Sequence, residues 1–181
     1  MPKEIRKKKF RKHCLKMLKK VAQRGSYLKD KRVLSKLEKM IVQNNAQRIM
    51  LYIPLETEVN LFPLIKLLRR QKRQLYVPFM EGTSFRLVKY RYPLETKRFG
   101  IKEPKDSKQY RVKKIDIAIV PIVGIDSTDR RVGFGKGMYD RFFEKEMKHI
   151  EKTVFVSRYY CYSKAIVTDS HDVKADSVIV P

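Results

Sequence analysis

Residues 115–126 read Ile-Asp-Ile-Ala-Ile-Val-Pro-Ile-Val-Gly-Ile-Asp and form the most apolar stretch of the chain. A continuous apolar run is typical of a strand with both faces buried, as in the middle of a parallel sheet. A glycine-rich loop and a helical pattern follow it. We therefore predict that residues 115–126 form the central strand of an α/β sheet.

The patterns on either side of this stretch alternate between helix and strand. Apolar residues at helical spacing predict helices over residues 3–23, 33–41, 59–70 and 139–149. Short apolar runs predict further strands over residues 48–55, 74–80, 84–90, 153–160 and 176–180. The run at 84–90 alternates in polarity, which favours an edge or antiparallel strand, and the Pro- and Lys-rich residues 91–113 are predicted to be a surface loop. This alternation is typical of an α/β domain with a largely parallel sheet, and the length suits one domain spanning residues 1–181.

The chain is strongly basic. It carries 43 Lys and Arg against 19 Asp and Glu, a net charge of +24, and its first 50 residues contain 17 basic and three acidic residues. Such an excess favours polyanionic partners, namely nucleic acid, phosphates or membrane surfaces. A lysine-rich, solvated surface with no such partner is the simpler alternative.

Compartment signals are few. The chain has no run of 18 apolar residues, so no transmembrane helix is predicted. The N-terminal Met-Pro-Lys-Glu-Ile-Arg-Lys-Lys-Lys-Phe lacks the apolar segment of a secretory signal. Cys14 and Cys161 are few and far apart, so we predict no disulfide framework and a cytoplasmic location.

The loop after the central strand reads Arg131-Val-Gly-Phe-Gly-Lys-Gly-Met-Tyr-Asp140. Glycines before a helix let backbone N–H groups turn towards an anion, and Lys136 adds a full charge. The dinucleotide-binding fingerprint fails because Met138 stands at its third glycine, and the Walker A pattern fails because Gly137 follows Lys136. Asp140 beside bound phosphates indicates a Mg²⁺ ion, although a favourable acid in the first turn of a helix explains it equally.

Several stretches together resemble one family. Residues 131–140 resemble the Arg-x-Gly-x-Gly-x-Gly-x-Tyr-Asp signature of the 5-formyltetrahydrofolate cyclo-ligase family. Other landmarks of that family are matched in order by Lys3-Glu-Ile-Arg6, Glu58-Val59, Gly100-Ile-Lys-Glu-Pro104, residues 115–126 and His171-Asp-Val-Lys-Ala-Asp176. The resemblance covers nearly the whole chain and implies a three-layer α/β/α fold with a mostly parallel central sheet.

The resemblance also implies a reaction. Members of the family convert 5-formyltetrahydrofolate to 5,10-methenyltetrahydrofolate, using ATP and Mg²⁺ and releasing ADP and phosphate. The formyl oxygen is a poor leaving group, and transfer of the γ-phosphoryl group lets it depart as phosphate. Catalysis is then mainly positioning and charge neutralisation. The implied partners are ATP and the folate, with or without a polyglutamate tail; nucleic acid is less favoured, and no membrane is expected.

The family pattern assigns roles to residues of this chain. The catalytic residues are Arg131, Lys136 and Tyr139. The ATP contacts are Lys3, Arg6, Arg131, Gly133, Phe134, Gly135, Lys136, Gly137, Met138 and Tyr139. The folate contacts are Ile53, Glu58, Phe134, Met138 and Tyr139, and the Mg²⁺ ligands are Asp140 and Asp172.

Each role has a simpler alternative. Lys3 and Arg6 are two among many solvated cations. Glu58 is also explained as an acid at a helix N-terminus, and Tyr139 as a packing residue. Met138 stands where the family has tyrosine, so it keeps an apolar contact and lacks the hydroxyl.

Two other functions stay open. The basic N-terminal segment also fits an RNA- or ribosome-associated binding protein on the same scaffold, which would show steeply salt-dependent RNA binding and no folate turnover. An α/β enzyme acting on a phosphorylated sugar or a CoA ester is the second alternative, and it would need no metal at Asp140.

Overall fold

The computed structural model describes residues 2–97, 100–105, 111 and 113–181, and it shows an α/β fold around a six-stranded sheet. Its parallel strands are β1 (Arg48–Met50), β2 (Gln74–Glu81), β6 (Ile117–Pro121), β9 (Thr153–Val156) and β11 (Ser177–Ile179). Strand β3 (Ser84–Lys89) pairs antiparallel with β2 at one edge. The order across the sheet is β11–β9–β6–β1–β2–β3. The mostly parallel sheet and the antiparallel edge at 84–90 are therefore confirmed.

Helices cover both faces of this sheet. The helices in the described part of the chain are α1 (Lys3–Gln23), α2 (Ser26–Gln43), α3 (Phe62–Arg70) and α4 (Met138–Glu146), with a 3₁₀ turn at Met147–His149. Ile49 packs with α2 and α3 in one apolar cluster, whereas its neighbour Met50 packs with Phe142 and Phe143 of α4 in another. Successive side chains of a strand point to opposite faces, so α2 and α3 lie on one side and α4 on the other. The three-layer α/β/α architecture is confirmed.

A smaller sheet carries the glycine loop. It consists of β7 (Gly124–Asp126), β8 (Arg131–Val132) and β10 (Tyr162–Ser163). Helix α1 packs close to it, because a Cβ on Gly124 would lie 2.8 Å from the ring of Phe10. A larger residue at position 124 would push the helix away from the sheet.

The prediction of one continuous strand over 115–126 was wrong. Strand β6 occupies the centre of the main sheet as expected, but the chain leaves it after Pro121 and enters the smaller sheet at Gly124. Proline has no N–H with which to extend a ladder. The break matters for function, since it turns the chain towards the glycine loop.

Other boundaries also differ from the expectations. Strand β1 ends at Met50 and β9 at Val156, and α3 begins only at Phe62, because the residues that follow β1 and β9 form loops with tertiary contacts of their own. The predicted loop 91–113 contains a hairpin of β4 (Leu94–Thr96) and β5 (Lys102–Pro104), with residues 98, 99, 106–110 and 112 outside the described part. The hairpin is fastened to β2, because the buried Glu103 carboxylate accepts a hydrogen bond from the Met80 N–H at 2.7 Å.

The two cysteines form a disulfide bond, which corrects the expectation that the chain has no disulfide. Their Cα atoms lie 5.7 Å apart although 147 residues separate them in sequence. The packing of α1 against the smaller sheet brings them together in an apolar cluster with Leu18 and Val123. The separation of the two cysteines along the chain does not indicate this contact.

None of the helices in the described ranges has the length and apolarity needed to cross a membrane.

Candidate active site

Predicted site residues converge at the carboxyl edge of the main sheet. Glu58 lies in the loop that follows β1, and the segment after β6 leads to the glycine loop. The carboxyl ends of parallel strands commonly border a ligand crevice. The topology therefore places the residues predicted to bind the folate and the nucleotide on one side of the molecule.

The glycine loop is surrounded by guanidinium groups. Cβ atoms built on Gly133, Gly135 and Gly137 would lie 2.9, 3.4 and 2.8 Å from the guanidiniums of Arg131, Arg11 and Arg141, respectively. Gly135 and Gly137 have φ values of 95° and 62°, in the left-handed region that glycine adopts without strain. Side chains at these positions would displace the arginines and strain the backbone. The loop thus combines exposed peptide groups with a high local density of positive charge.

A cleft of about 510 Å³ opens above this loop. Helix α1 supplies two of its cations, Lys7 and Arg11, and the Arg11 Nε–H donates to the Gly133 carbonyl at 2.8 Å. Helix α4 supplies Arg141, which donates to the carbonyl of Thr83 at 2.9 Å. An anionic ligand in the cleft would lie among three fixed cations and the N-terminus of α4.

Carboxylates line the same cleft. Asp140, Glu144 and Asp172 contribute to its wall, and Asp169, His171 and Asp172 can bring ligand atoms within 4.8 Å of one another. Lys7 forms an ion pair with Asp172 and, at 3.1 Å, with Asp169, and Lys3 binds Asp169 at 3.0 Å. Hydrogen bonds from these lysines lower the pKa of Asp169. The acidic loop is thereby fastened to α1.

Arg131 links the glycine loop to α4. Its buried guanidinium donates to both carboxylate oxygens of Asp140 at 3.2 Å and lies 5.0 Å from the centre of the Tyr139 ring. The Val173 N–H also donates to Asp140, at 3.4 Å. Arg131 therefore orients Asp140 and Tyr139 from behind the loop and does not line the cleft.

The Glu58 loop is held by a second buried ion pair. Arg158 donates to Asp30 through Nε at 2.7 Å and Nη2 at 2.8 Å, and it also reaches the Glu56 carbonyl. Asp30 in turn accepts from the Asn60 N–H at 3.2 Å, and the Tyr52 hydroxyl donates to the Val59 carbonyl at 3.0 Å. Residues on both sides of Glu58 are thus fixed to α2 and to the segment after β9.

Glu58 itself is buried and poorly compensated. Burial raises its pKa to about 7, and a hydrogen bond from the Leu55 N–H, at 2.8 Å, and the charge of Arg158 only partly oppose this rise. Burial, and then the charge of Glu58, raise the pKa of the Tyr139 hydroxyl. The charge of Glu58 therefore acts on Tyr139, at the end of the glycine loop.

Asp126 organises the loop that carries the acidic residues. Its fully buried carboxylate accepts hydrogen bonds of 2.7–3.0 Å from Thr128, Val167 and Thr168. Burial alone would raise its pKa, but the hydrogen bonds from Thr128 and Thr168 outweigh burial and lower the pKa to about 2. Asp126 therefore fixes the segment that leads to Asp169 and Asp172.

We expect Asp126→Asn to lower the free energy of unfolding by about 2–3 kcal/mol at pH 7, because buried donors lose their charged acceptor. The lowered pKa means that this contribution is present above about pH 4 and is lost as the pH falls towards 2. Urea unfolding at pH 7 and pH 3 measures both effects. Asp129→Asn is the matched control, because Asp129 is exposed and its positive φ suits asparagine. Equal stability of the two variants would contradict the role of Asp126.

The structure places only some of the predicted site residues in the cleft. Gly133, Gly135, Gly137, Asp140 and Asp172 line the cleft. Lys136 and Phe134 lie exposed on the loop. Met138 is half-buried against the core beneath α4, and Ile53 is buried in the core on the opposite face of the sheet. Lys3 faces Asp169, whereas Arg6 points to solvent.

Sequence reasoning missed Lys7, Arg11, Arg141 and Arg158. Lys3, Lys7 and Arg11 follow one another at intervals of four, which puts them on one helix face, so this spacing could have identified two of them. The Asp30–Arg158 pair joins residues 128 positions apart and carries no signal in the sequence.

Several proteins resemble this chain in sequence or in structure. The 5-formyltetrahydrofolate cyclo-ligase of Haemophilus influenzae is 34% identical over 109 residues, which are 56% of this chain and 58%, less than two thirds, of that protein. The cyclo-ligase of Mus musculus is 24% identical over 159 residues, 78% of each chain. The NMR structure of the 5,10-methenyltetrahydrofolate synthetase of Aquifex aeolicus is 27% identical, with a TM-score of 0.76 over 96% of this chain and 88% of that one. The synthetase of Mycoplasma pneumoniae, at 20% identity and a TM-score of 0.73, shares the fold over 96% of this chain and 98% of its own.

The sequence model of one protein family matches nearly the whole chain. The model of the 5-formyltetrahydrofolate cyclo-ligase family matches residues 3–181, from the start of α1 through the glycine loop to the last strand. The match covers every residue that lines the cleft and the Glu58 loop. The chain belongs to the 5-formyltetrahydrofolate cyclo-ligase family.

Proposed function

We propose that residues 1–181 form a single domain that converts 5-formyltetrahydrofolate to 5,10-methenyltetrahydrofolate with ATP. The observation that carries this proposal is the basic glycine-loop cleft together with the buried carboxylate of Glu58, whose charge acts on Tyr139 at the end of that loop. The cleft suits a polyphosphate, and Glu58 suits a planar ligand with N–H donors. ATP and the folate are therefore the small-molecule partners.

The reaction proceeds by activation of the formyl oxygen. That oxygen attacks the γ-phosphorus, and the bond between this phosphorus and the bridging β,γ-oxygen breaks to release ADP. The folate N10 then attacks the formyl carbon as the C–O bond breaks, so the oxygen leaves as phosphate and N10 gives up its proton. The protein has little covalent chemistry to do, and it acts by alignment and by neutralising charge.

The nucleotide phosphates lie in the cleft. N–H groups of the left-handed glycines and the N-terminus of α4 bind the phosphate oxygens, and Lys7, Arg11 and Lys136 balance their charge. Lys3 and Arg131 act indirectly, Lys3 through Asp169 and Arg131 through Asp140 and Tyr139. Arg6, which is exposed, can contribute only long-range attraction.

The pterin ring lies between the two loops. The Glu58 carboxylate accepts its N–H donors, and Tyr139, Phe134 and Met138 supply apolar or aromatic contact from the glycine loop. Ile53 supports the Glu58 loop from the core.

The carboxylates of the cleft fit a Mg²⁺ ion. Asp140 and Asp172 would hold it, with Asp169 beside them, and these hard oxygen donors match the preference of Mg²⁺ for one or two carboxylates plus substrate phosphates. When bound, the ion neutralises charge on the transferring phosphoryl group. We also propose a cytoplasmic location for this enzyme.

An isotope experiment tests the proposed chemistry. With ¹⁸O in the formyl group, the label should appear in the released phosphate, in one equivalent per methenyl product. Label released as water, or product formed without loss of ATP, would overturn the phosphorylation step.

We expect Lys136→Ala to raise the KM for ATP about tenfold with a smaller change in kcat, because one exposed charge–phosphate contact contributes about 1–1.5 kcal/mol. Steady-state kinetics with varied ATP provide the measurement. Lys145→Ala, at an exposed position of α4 outside the cleft, is the control and should leave KM unchanged. An unchanged KM in Lys136→Ala would remove Lys136 from the nucleotide site.

A further inference from the structure

Arg141 is a cation of the cleft that has no part in the proposed nucleotide contacts. It lies near the start of α4, where its backbone N–H donates to the Gly137 carbonyl at 3.1 Å. Its side chain lines the cleft beside that glycine. In the proposed function, Lys7, Arg11 and Lys136 balance the charge of the phosphates, so the position of Arg141 in the same cleft has no explanation there.

Two backbone carbonyls hold the Arg141 guanidinium in place. Its Nε donates to the Thr83 carbonyl at 2.9 Å, and its Nη2 donates to the same carbonyl and to the carbonyl of Lys136. The Ser84 hydroxyl donates to the Met138 carbonyl at 3.3 Å, so the turn between β2 and β3 is fastened to the start of α4. These contacts fix the direction of the guanidinium before a ligand binds, which is the preorganisation that catalytic groups require.

One edge of this guanidinium is open. Of the five N–H donors of an arginine side chain, Nη1 carries two. Within the described part of the chain, Nη1 has no acceptor and Arg141 forms no salt bridge. A Cβ on Gly137 would lie 2.8 Å from Nη1. The open edge therefore borders the N-terminus of α4, where the helix also favours an anion.

The position of Arg141 along the glycine loop indicates which phosphate it faces. Arg11 borders Gly135 in the middle of the loop, whereas Arg141 borders Gly137, two residues before Tyr139. Tyr139 contacts the folate in the proposed function, so the phosphate nearest the folate lies at the Arg141 end of the loop. That phosphate is the γ-phosphate, because it has to reach the formyl oxygen.

We propose that Arg141 is a catalytic residue that binds the γ-phosphoryl group of ATP through Nη1 while this group passes to the formyl oxygen. The inference rests on the proposed function. The guanidinium donates hydrogen bonds to the equatorial oxygens of the phosphoryl group and remains protonated throughout. Because negative charge is spread over these oxygens in the transition state, the contact is stronger there than in bound ATP. An arginine supplied from the same chain accelerates phosphoryl transfer in this way in other enzymes.

Nucleotide binding and turnover together test this role. Isothermal titration calorimetry measures the binding of ADP and of AMP-PNP, an ATP analogue that does not transfer its terminal phosphoryl group, both with Mg²⁺, and the methenyl assay measures kcat. Arg141→Gln removes the charge and keeps an N–H donor for the Thr83 carbonyl, whereas Arg141→Lys keeps the charge without the fork of donors. Lys145→Gln is the charge-matched control, because Lys145 is exposed on the same helix and lies outside the cleft. Urea unfolding checks that each variant is folded.

The wild-type protein should bind the analogue about tenfold more tightly than ADP, since only the analogue has a γ-phosphoryl group for the guanidinium. Arg141→Gln should lose most of this preference, change the Kd for ADP less than threefold and lower kcat about 100-fold. Arg141→Lys should lose about tenfold in kcat, because a lysine keeps the charge alone. Lys145→Gln should match the wild-type protein in all three quantities.

Two results would overturn the proposal. Equal losses of affinity for ADP and for the analogue in Arg141→Gln would mean that Arg141 supports the loop or the inner phosphates, and an unchanged kcat would remove it from the reaction. Failure of the proposed function gives a different pattern, in which the wild-type protein forms no methenyl product. The preference for the analogue and its loss in Arg141→Gln then still decide whether Arg141 binds the γ-phosphoryl group.

Discussion

Glu58→Gln should make the protein more stable at pH 8 and at the same time nearly abolish folate turnover. Burial raises the pKa of Glu58 from 4.5 to about 7, so the folded state binds a proton more tightly than the unfolded state. Its contribution to stability is fully present below about pH 4.5 and is lost as the pH rises through 7. At pH 8 the charged side chain of Glu58 lowers the free energy of unfolding by about 3 kcal/mol. The neutral amide of glutamine does not carry this cost.

In the proposed function, the same substitution removes the carboxylate that accepts hydrogen bonds from the pterin. Because charge-assisted hydrogen bonds in a buried site contribute about 3 kcal/mol, we expect kcat/KM for the folate to fall about 100-fold, with little change in the KM for ATP. In the wild-type protein, kcat/KM for the folate should rise as the pH increases through 7, where Glu58 becomes charged.

Urea unfolding at pH 5 and pH 8, together with steady-state kinetics, measures these effects. Glu56→Gln is the matched control, since Glu56 lies in the same loop and is exposed. It should change neither quantity appreciably. A variant at position 58 that is less stable at pH 8, or one that keeps its folate KM, would contradict the account of Glu58.

If Asp140 holds Mg²⁺ as proposed, Asp140→Asn should lower kcat by about 1000-fold, because losing that carboxylate removes several kcal/mol of charge stabilisation. The concentration of Mg²⁺ needed for half-maximal activity should rise as well. Asp140 is also the partner of Arg131, which is only 4% exposed. Leaving that guanidinium unpaired should cost about 3 kcal/mol of stability.

A double variant separates the two roles of Asp140. Arg131→Met with Asp140→Asn removes the buried charge together with its partner, so stability should recover while activity stays lost. Glu144→Gln, one turn further along α4 and in the same cleft, is the control and should lose less than fivefold. If Asp140→Asn keeps kcat within tenfold and an unchanged Mg²⁺ requirement, Asp140 does not hold the metal.

The parts of the site that could be predicted are those formed by residues that are consecutive in the sequence. The glycine loop and Asp140 are contiguous, so their spacing alone predicted an anion site at the start of a helix, and α4 does begin at Met138. The alternation of apolar runs predicted the parallel sheet and its antiparallel edge, because burial on one or both faces determines which positions of a strand are apolar.

The remaining features depend on tertiary contacts. After the break at Pro121, the chain enters the smaller sheet at Gly124, where it packs against Phe10, a residue more than 100 positions away. Helix α1 carries many cations, and the packing of that helix against the glycine loop determines that Lys7 and Arg11 are the ones that line the cleft. The Asp30–Arg158 pair and the Cys14–Cys161 bond join distant residues, so no local pattern could reveal them.

The most direct test of the account is turnover itself. Purified protein is mixed with (6S)-5-formyltetrahydrofolate, ATP and Mg²⁺, and the near-ultraviolet absorbance of the methenyl product is followed, with controls that omit ATP or use Asp140→Ala. We predict product that requires ATP and nearly disappears in the variant. Folded wild-type protein that forms no product under these conditions would contradict the proposed function.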